Sequence, residues 1–251
     1  MLTQNAMSAP APIISIIVVC RNPGERLRTA LESVWAQQGP GPELVVIDGA
    51  STDGTREWLE TQRARIVVLV SAPDDGIYDA MNRGVARAAG EWVLFLGADD
   101  RLADPAALVR CLPALAMTGA DVATGEARFD DGRRYPPAPA SAAIRRNFLH
   151  HQATFYRRRL FAARGGFDTA LRLMADYDFN LRLLGGGAQF ELLPGLVAEC
   201  GSGGASDRGT WAGYREEITV RHRHFPAWRC WPWDAGSVVR FLRKRLRRAR
   251  P

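Results

Sequence analysis

The sequence has few cysteines and no long apolar run. Its 251 residues include four cysteines that are far apart and form no CxxC pair, which argues against a disulfide framework or a zinc site and favours a reducing compartment. No stretch reaches the roughly 18 uninterrupted apolar residues that a membrane-spanning helix needs. The first residues lack the basic and apolar regions of a signal peptide. We therefore expect a cytoplasmic protein.

Outside its C-terminal segment, the chain has no excess of positive charge. Its formal net charge is +6, but seven basic residues lie between Arg240 and Arg250, so the preceding residues carry a net charge of −1. A nucleic-acid enzyme is expected to carry positive charge on the fold that reads the polymer. This distribution argues against a nucleic-acid partner and indicates a separate role for the C-terminal segment.

Two glycine-rich phosphate-binding motifs are missing. The sequence has no GxxxxGK[ST] loop, and no GxGxxG follows the first apolar run. The usual backbone cradles for ATP and NAD are therefore absent.

Strands that alternate with helices are predicted for the first hundred residues. The predicted strands are Ile13–Cys20, Leu44–Ile47, Ile66–Val70 and Trp92–Leu96. This alternation predicts an α/β fold with a mostly parallel sheet and flanking helices. The third helix is expected to end at Gly90, and the fourth to begin at Pro105 and end near Met117. The predicted divisions are a flexible N-terminus at 1–12, a main domain at 13–225 with halves 13–104 and 105–225, and a tail at 226–251.

Acidic residues recur at the carboxyl ends of these strands. They are Asp48, Asp53, the pair Asp74 and Asp75, and the pair Asp99 and Asp100. The carboxyl ends of parallel strands meet at one edge of a sheet, where ligands of such folds bind. For any one of these residues alone, a role as a turn or N-cap residue is the better explanation, but their recurrence on one edge reverses that preference and favours a binding site. Two adjacent carboxylates favour Mg²⁺ or Mn²⁺, which commonly share oxygen ligands with substrate phosphates.

Several motifs resemble those of a known enzyme family. They are Ser15–Val19 with Asn22, Ser33-Val34 before Gln37, Val46–Thr55, Asp75–Gly84 and Phe95–Asp100. In this order and spacing they are similar to glycosyltransferase family 2 of the GT-A fold, in the soluble type that builds bacterial exopolysaccharide, capsule or O-antigen units. The resemblance covers about Ile14 to Ser206. It implies a GT-A, Rossmann-like sheet and transfer of a sugar from a nucleoside diphosphate sugar.

On the donor side, the resemblance implies that Asp48 holds the base or the ribose and that Asp53 supports its loop. Asp99 and Asp100 correspond to the metal-binding acidic pair, with Asp99 nearer the ribose and sugar and Asp100 nearer Mn²⁺ or Mg²⁺. The ion would neutralise the leaving diphosphate. The pair is a bare Asp-Asp instead of Asp-x-Asp, and Gly97 stands where many relatives have asparagine. Further donor-binding candidates are Asn22, Asp75 and Asn82; the glycine-rich segment 201–206 is expected to be a lid over the donor or a plain loop.

The acceptor side is expected in the second half of the chain. The stretch His150–Tyr156, followed by Gly165–Asp168, resembles the segment that leads to the catalytic carboxylate in this family. That resemblance makes Asp176 the expected general base of an inverting transfer, since nothing nominates a second carboxylate as the nucleophile of a retaining route. The alternative role of Asp176 is a helix N-cap. Acceptor or supporting candidates are His151, Gln152, Asp178 and Arg182, the last two as an i,i+4 pair.

The C-terminal segment is predicted to be an amphipathic helix. Its apolar stripe comprises Val238, Val239, Leu242, Leu246 and Ala249, between rows of arginine, and the tryptophans Trp228, Trp231 and Trp233 precede it. Such helices lie in a bilayer interface, and basic residues add affinity for an anionic leaflet. We expect peripheral binding to the cytoplasmic face of the inner membrane, beside a lipid-linked saccharide acceptor. The alternatives are a tail that packs on the body or that binds a partner protein.

Two other functions fit part of the sequence. A sugar nucleotidyltransferase uses similar metal and carboxylate chemistry, but Cys20–Gly24 matches its usual glycine-rich basic loop poorly. A non-catalytic sugar-nucleotide-binding domain of a membrane assembly is favoured if Asp100 or Asp176 is absent, and both are present.

Overall fold

Strands and helices alternate in the first part of this computed structural model, which describes residues 13–202, 204 and 209–248. The elements of that part are β1 (Ile14–Cys20), α1 (Arg26–Trp35), β2 (Glu43–Asp48), α2 (Thr55–Thr61), β3 (Val68–Ser71), α3 (Ile77–Val85) and β4 (Trp92–Gly97). The later elements are β5 (Arg101–Leu102), α4 (Ala107–Met117), β6 (Val122–Phe129), β7 (Arg134–Tyr135), β8 (Thr154–Arg157), α5 (Arg159–Arg164), α6 (Ala175–Gly185), β9 (Phe190–Cys200), α7 (Trp211–His224) and α8 (Ala227–Arg248).

The strands of the described residues form one sheet in the order β3-β2-β1-β4-β8-β6-β9-β5, with β7 paired to β6. The four strands β3, β2, β1 and β4 are parallel, as predicted from the alternation with helices. Strand β8 then runs antiparallel to β4. The start of β8 therefore lies at the same sheet edge as the ends of β1, β2 and β4.

The sheet is buried on both faces because helices cover each of them. Ile16 and Val18 of β1 pack into one apolar layer with α1 and α4, while Ile17 and Val19 pack into a second layer with α3 and α6. All seven residues of β1 are buried. Burying one such side chain contributes about 1.5–3 kcal/mol, so this run anchors the strand in the core.

Three predicted boundaries are wrong by a few residues. Strand β3 begins at Val68, because the chain before it forms a 3-10 turn at Arg63–Arg65. Helix α3 ends at Val85, and Gly90 serves a different purpose: a Cβ there would lie 2.4 Å from Ser15 Oγ. Helix α4 begins at Ala107, because Asp104 accepts a hydrogen bond from the Ala106 N–H in the turn that precedes it.

Helix α8 packs on α7 instead of extending away from the body. Cys230 and Ser237 on α8 are buried. The guanidinium of Arg221 on α7 is completely buried, and it donates to the carbonyl oxygens of Ile144 and Arg145 at 2.7 and 3.1 Å. The same guanidinium also bonds three side chains, those of Glu217, Asp234 and Ser237. One face of the C-terminal helix therefore belongs to the fold.

Within the described part of the chain, no helix combines the length and the apolar character needed to cross a bilayer.

Candidate functional site

The loops after β1 and β2 are joined by hydrogen bonds at the sheet edge. Asn22, in a left-handed conformation with φ 48°, donates its N–H to Ser51 Oγ at 2.7 Å and accepts the Thr52 N–H at 2.8 Å. Asp53 accepts the Gly24 N–H at 3.0 Å. Hydrogen bonds from Thr55 and Gly24 hold the pKa of Asp53 below its usual value. Asn22 and Asp53 thus shape an exposed edge and remain candidates for nucleotide contact.

Asp48 supports this edge from below. Its carboxylate has no exposed surface and accepts hydrogen bonds from the Ser51 N–H, the Ser51 hydroxyl and the Ser71 hydroxyl. The carboxylate therefore orders the loop after β2. Contact between Asp48 and a base or ribose stays a prediction. It would require the nucleotide to replace one of these hydrogen-bond donors.

Two other predicted donor-binding residues lie in different surroundings. Asp75 is exposed, and its carbonyl oxygen accepts a hydrogen bond from Arg172. The carboxamide of Asn82 is paired on both sides with the backbone of Phe167, at 2.8 Å each. On α3 the side chain of Asn82 faces the loop before α6, so contact between Asn82 and the donor stays a prediction, and it requires these two hydrogen bonds to be exchanged.

The acidic pair after β4 contains one buried and one exposed carboxylate. Asp100 is 4% exposed and accepts hydrogen bonds from the Gly97 N–H at 2.7 Å, Gln152 Nε2 at 3.0 Å and the Gly201 N–H at 3.3 Å. Asp99 is exposed. A Cβ at Gly97 would lie 2.9 Å from Asp100 Oδ2 and 3.0 Å from Asp99 Oδ1, which explains the glycine at this position.

The acidic pair fits a divalent cation that is shared with a phosphate ligand. Burial raises the pKa of Asp100, and the charge of Asp99 raises it further, so its ionised form is disfavoured by these surroundings and a bound cation would stabilise it. Among the described residues, no three acidic, histidine or cysteine side chains form a ready metal cage. Mg²⁺ and similar ions are commonly held by one or two carboxylates plus substrate phosphates. Asp99 and Asp100 suffice for that mode.

Asp176, in the first turn of α6, is held by four donors. Oδ1 accepts from the Tyr78 hydroxyl at 3.0 Å and the Tyr177 N–H at 2.9 Å, while Oδ2 accepts from Asn147 Nδ2 at 2.8 Å and lies 3.2 Å from His151 Nδ1. Burial on its own raises the pKa of Asp176, but the interactions with His151, Tyr78 and the Tyr177 N–H outweigh it, and the pKa lies below its usual value. The carboxylate is therefore ionised at neutral pH.

His151 and His150 stack with their ring centroids 5.9 Å apart. Burial, with a smaller contribution from His151, lowers the pKa of His150 to about 3, so His150 is neutral at physiological pH. Phe129 and Tyr135 meet the ring of His150 edge-on. His150 therefore acts as an aromatic spacer that sets the position of His151 beside Asp176.

Asp178 points away from Asp176. It pairs with Arg182 at 2.8 Å, the expected i,i+4 contact, and with His224 Nε2 of α7 at 2.9 Å. Hydrogen bonds from these two partners outweigh the opposing effect of burial and lower the pKa of Asp178. Asp178 and Arg182 therefore join α6 to α7 and lie outside the cavity described next.

One cavity brings the acidic pair and Asp176 together. Its volume is about 290 Å³, and Asp99, Asp100, His151, Gln152 and Asp176 all line it. Four further residues line the cavity that no sequence motif identified as site residues: Tyr78, Asn147, Arg133 and Arg172. Only Tyr78 had a signal, because it lies inside the Asp75–Gly84 motif. Gly201 and Gly204 of the predicted lid line the cavity, and Ser202 donates its N–H to Asp130 at 3.0 Å. Residues 203, 205 and 206 lie outside the described residues.

The sequence comparisons agree with the motifs. The family model described as glycosyl transferase family 2 matches residues 15–177. A "PGL/p-HBAD biosynthesis glycosyltransferase" of Mycobacterium bovis is 35% identical over 181 residues, which is 68% of this chain and 70% of the relative. The "Putative teichuronic acid biosynthesis glycosyltransferase TuaG" of Bacillus subtilis is 33% identical over 93 residues, 36% of this chain and 37% of the relative.

Solved structures share the fold. TarS 1–349 of S. aureus in complex with UDP-GlcNAc has a TM-score of 0.69 at 20% identity, over 82% of this chain and 64% of that one. The mannosyltransferase PcManGT of Pyrobaculum calidifontis, in complex with GDP-Man and Mn²⁺, has a TM-score of 0.64 at 21% identity, over 91% of this chain and 74% of that one. This chain thus spans less than two thirds of the TarS chain.

The mixed α/β fold is GT-A-like, as predicted, and together with these relatives it defines a glycosyltransferase. The chain belongs to glycosyl transferase family 2. The names of the two relatives above assign them to PGL/p-HBAD biosynthesis and, putatively, to teichuronic acid biosynthesis. Family membership also argues against the nucleotidyltransferase and the non-catalytic alternatives.

Proposed function

We propose that the protein is an inverting, metal-dependent glycosyltransferase that moves a sugar from a nucleoside diphosphate sugar to a saccharide acceptor. The observation that supports this proposal most is the single cavity lined by the acidic pair and by Asp176. The neighbours that bind UDP-GlcNAc, or GDP-Man with Mn²⁺, support a nucleotide-sugar donor and a divalent ion. We assign the nucleotide to the edge shaped by Asn22 and Asp53.

In this reaction Asp99 and Asp100 would hold Mn²⁺ or Mg²⁺, which stabilises the negative charge of the leaving diphosphate. Gln152 holds Asp100 in place at 3.0 Å. Asp176 takes the proton from the acceptor hydroxyl while the hydroxyl oxygen attacks the anomeric carbon from the face opposite the diphosphate. Of the four partners of Asp176, His151 makes the longest contact, 3.2 Å. We therefore propose that the acceptor hydroxyl replaces His151 Nδ1 as the partner of Asp176 Oδ2 when the acceptor binds.

A donor screen tests this function. In the presence of Mn²⁺ and an accepted saccharide, the full-length protein is expected to release nucleoside diphosphate from at least one UDP-, GDP- or dTDP-sugar, and excess chelator is expected to stop release. The anomeric configuration of the product, read by NMR, is expected to be opposite to that of the donor. Retention of configuration, or undiminished turnover in chelator, contradicts the proposal.

The acceptor that we propose is lipid-linked, because α8 exposes an apolar face beside basic residues. Trp228 and Trp231 are 72% and 68% exposed, and the face continues through Val239, Leu242 and Leu246. Arg243 and Arg245 are exposed beside it. Apolar and aromatic residues flanked by arginine suit the headgroup region of an anionic bilayer. Ala249 of the predicted stripe lies outside the described residues, and Val238 is half-buried.

Vesicle co-sedimentation tests the membrane surface. Replacement of Leu242 and Leu246 by glutamine is expected to abolish binding of the full-length protein to vesicles that contain phosphatidylglycerol. Arg243→Gln and Arg245→Gln are each expected to weaken binding about fivefold at low salt, since one basic residue contributes about 1 kcal/mol.

The matched control exchanges two exposed apolar residues elsewhere, Met117 and Leu192, for glutamine. This control is expected to sediment like the unmodified protein. Removal of α8 is unsuitable as a test, because Ser237 and Arg240 on that helix bond the buried Glu217 of α7. Equal sedimentation of the Leu242/Leu246 variant and the control, or equal binding to neutral phosphatidylcholine vesicles, contradicts the proposed surface.

A further inference from the structure

The hydroxyl of Tyr78 has two acceptors and only one proton. It lies 3.0 Å from Asp176 Oδ1 and 3.0 Å from the carbonyl oxygen of Leu173. The ring is buried against Phe167, with centroids 5.3 Å apart. Since an ionised carboxylate is a stronger acceptor than a carbonyl oxygen, the proton of Tyr78 goes to Asp176 whenever Asp176 is charged.

We propose that Tyr78 is a positioning residue for Asp176, whose hydroxyl holds the carboxylate in one orientation and favours its ionised form. This inference rests on the proposed function, in which Asp176 takes the proton of the acceptor hydroxyl. Tyr78 itself keeps its own proton throughout.

Two features support a role beyond packing. Burial, together with the charge of Asp176, keeps the pKa of Tyr78 well above its usual value, so the phenol is a donor at every working pH. When Asp176 becomes protonated in the reaction, the carbonyl oxygen of Leu173 is close enough to accept the phenol proton instead. The hydroxyl is thus hydrogen-bonded in both protonation states, and the cost of leaving this buried donor without a partner is avoided.

The opposite oxygen of Asp176 is fixed independently. Asn147 donates to Oδ2, and its own Oδ1 accepts from Asn180 Nδ2 at 3.0 Å, which sets the direction of the carboxamide. The titratable groups that surround Asp176 are Tyr78 on α3, His150 and His151 before β8, Tyr135 on β7, Tyr156 on β8 and, beyond Leu173, Glu216 on α7. Among these groups, and within the described part of the chain, Tyr78 alone donates a hydroxyl to the carboxylate.

An NMR titration of the full-length protein tests the proposal without any substrate. The protein is labelled with ¹³C at the aspartate Cγ, and the signal of Asp176 is assigned by its loss in Asp176→Asn. Tyr78→Phe removes one donor to the charged form and is expected to raise the pKa of Asp176 by about one unit. The matched control is Tyr177→Phe, which removes another buried hydroxyl, bonded to the carbonyl oxygen of Ala143, and keeps the Tyr177 N–H that bonds Asp176. The control is expected to leave the pKa unchanged.

Kinetics with the donor found in the screen give the second measurement. Tyr78→Phe is expected to lower kcat about tenfold, to leave the KM of the donor within twofold, and to move the acidic limb of the kcat profile to higher pH. An unshifted pKa of Asp176, or equal shifts in Tyr78→Phe and Tyr177→Phe, overturns the proposal. Full activity of Asp176→Asn would instead overturn the proposed function, so the two failures are distinguishable.

Discussion

Asp176→Asn is expected to bind the nucleotide sugar normally and to transfer the sugar on the order of 10²–10⁴-fold more slowly, because the amide cannot take the proton of the acceptor hydroxyl. The pH dependence of the unmodified enzyme follows from the same residue. The base acts only when it is ionised, and the pKa of Asp176 lies below its usual value. We therefore expect the transfer rate not to vary with the titration of Asp176 near neutral pH, and to fall as the pH drops through the pKa of Asp176. Steady-state kinetics across acidic pH measure both effects.

The matched control is Asp178→Asn, on the same helix turn. Asp178 pairs with Arg182 and His224 away from the cavity, so the substitution is expected to reduce the free energy of unfolding by about 1.5–3 kcal/mol, the contribution of a hydrogen bond to a charged group. Its kcat is expected to stay within a few-fold of the unmodified enzyme. If Asp178→Asn is the slower enzyme of the two, the assignment of the base is wrong.

Asp100→Ala is expected to abolish transfer and to remove the gain in nucleoside diphosphate affinity that Mn²⁺ provides. The methyl group leaves no carboxylate at the buried member of the pair, and Asp99 alone then faces the cavity. Isothermal titration of UDP and GDP, with Mn²⁺ and with chelator, measures the loss directly. Affinity in chelator is expected to be unchanged within a few-fold.

Thermal unfolding provides the control for Asp100→Ala. The substitution removes three hydrogen bonds. It also removes a buried carboxyl group whose pKa is raised by burial and by Asp99, so we expect the folded state to persist. Asp104→Ala, which removes an exposed carboxylate in the turn before α4, is the matched variant. Retained Mn²⁺-dependent affinity in Asp100→Ala contradicts the metal site.

The parallel strands and the acidic sheet edge could both be predicted from the sequence alone. Runs such as Ile14–Cys20 are buried on both faces, so their composition alone indicates a central strand, and strand polarity then places Asp99 and Asp100 at one edge. Asp176 could be predicted as a site residue only through the resemblance to a family, since its helix reaches that sheet edge by tertiary packing.

The remaining site residues depend on contacts that are distant in sequence. Tyr78 and Asp176 are separated by 98 residues, and Asn147 meets Asp176 across 29 residues, so no local pattern relates them. Asn82 shows a further limit: its motif predicts a ligand contact, and the motif alone could not show that the carboxamide bonds the backbone of Phe167, 85 residues away. The predicted starts of β3 and α4 were too early, because a short turn precedes each element and satisfies backbone groups there.

The buried Arg221 links α8 to the segment of chain that leads into the wall of the cavity. Its guanidinium joins Asp234 of α8 to the carbonyl oxygens of Ile144 and Arg145, a few residues before Asn147. Breaking a buried ion pair by losing one partner commonly costs about 3–5 kcal/mol, so detachment of α8 from Arg221 is expected to be costly and to loosen the hold of Arg221 on the segment before Asn147. Hydrogen exchange is therefore expected to report a single opening event for α8 and that segment, with matching protection against solvent.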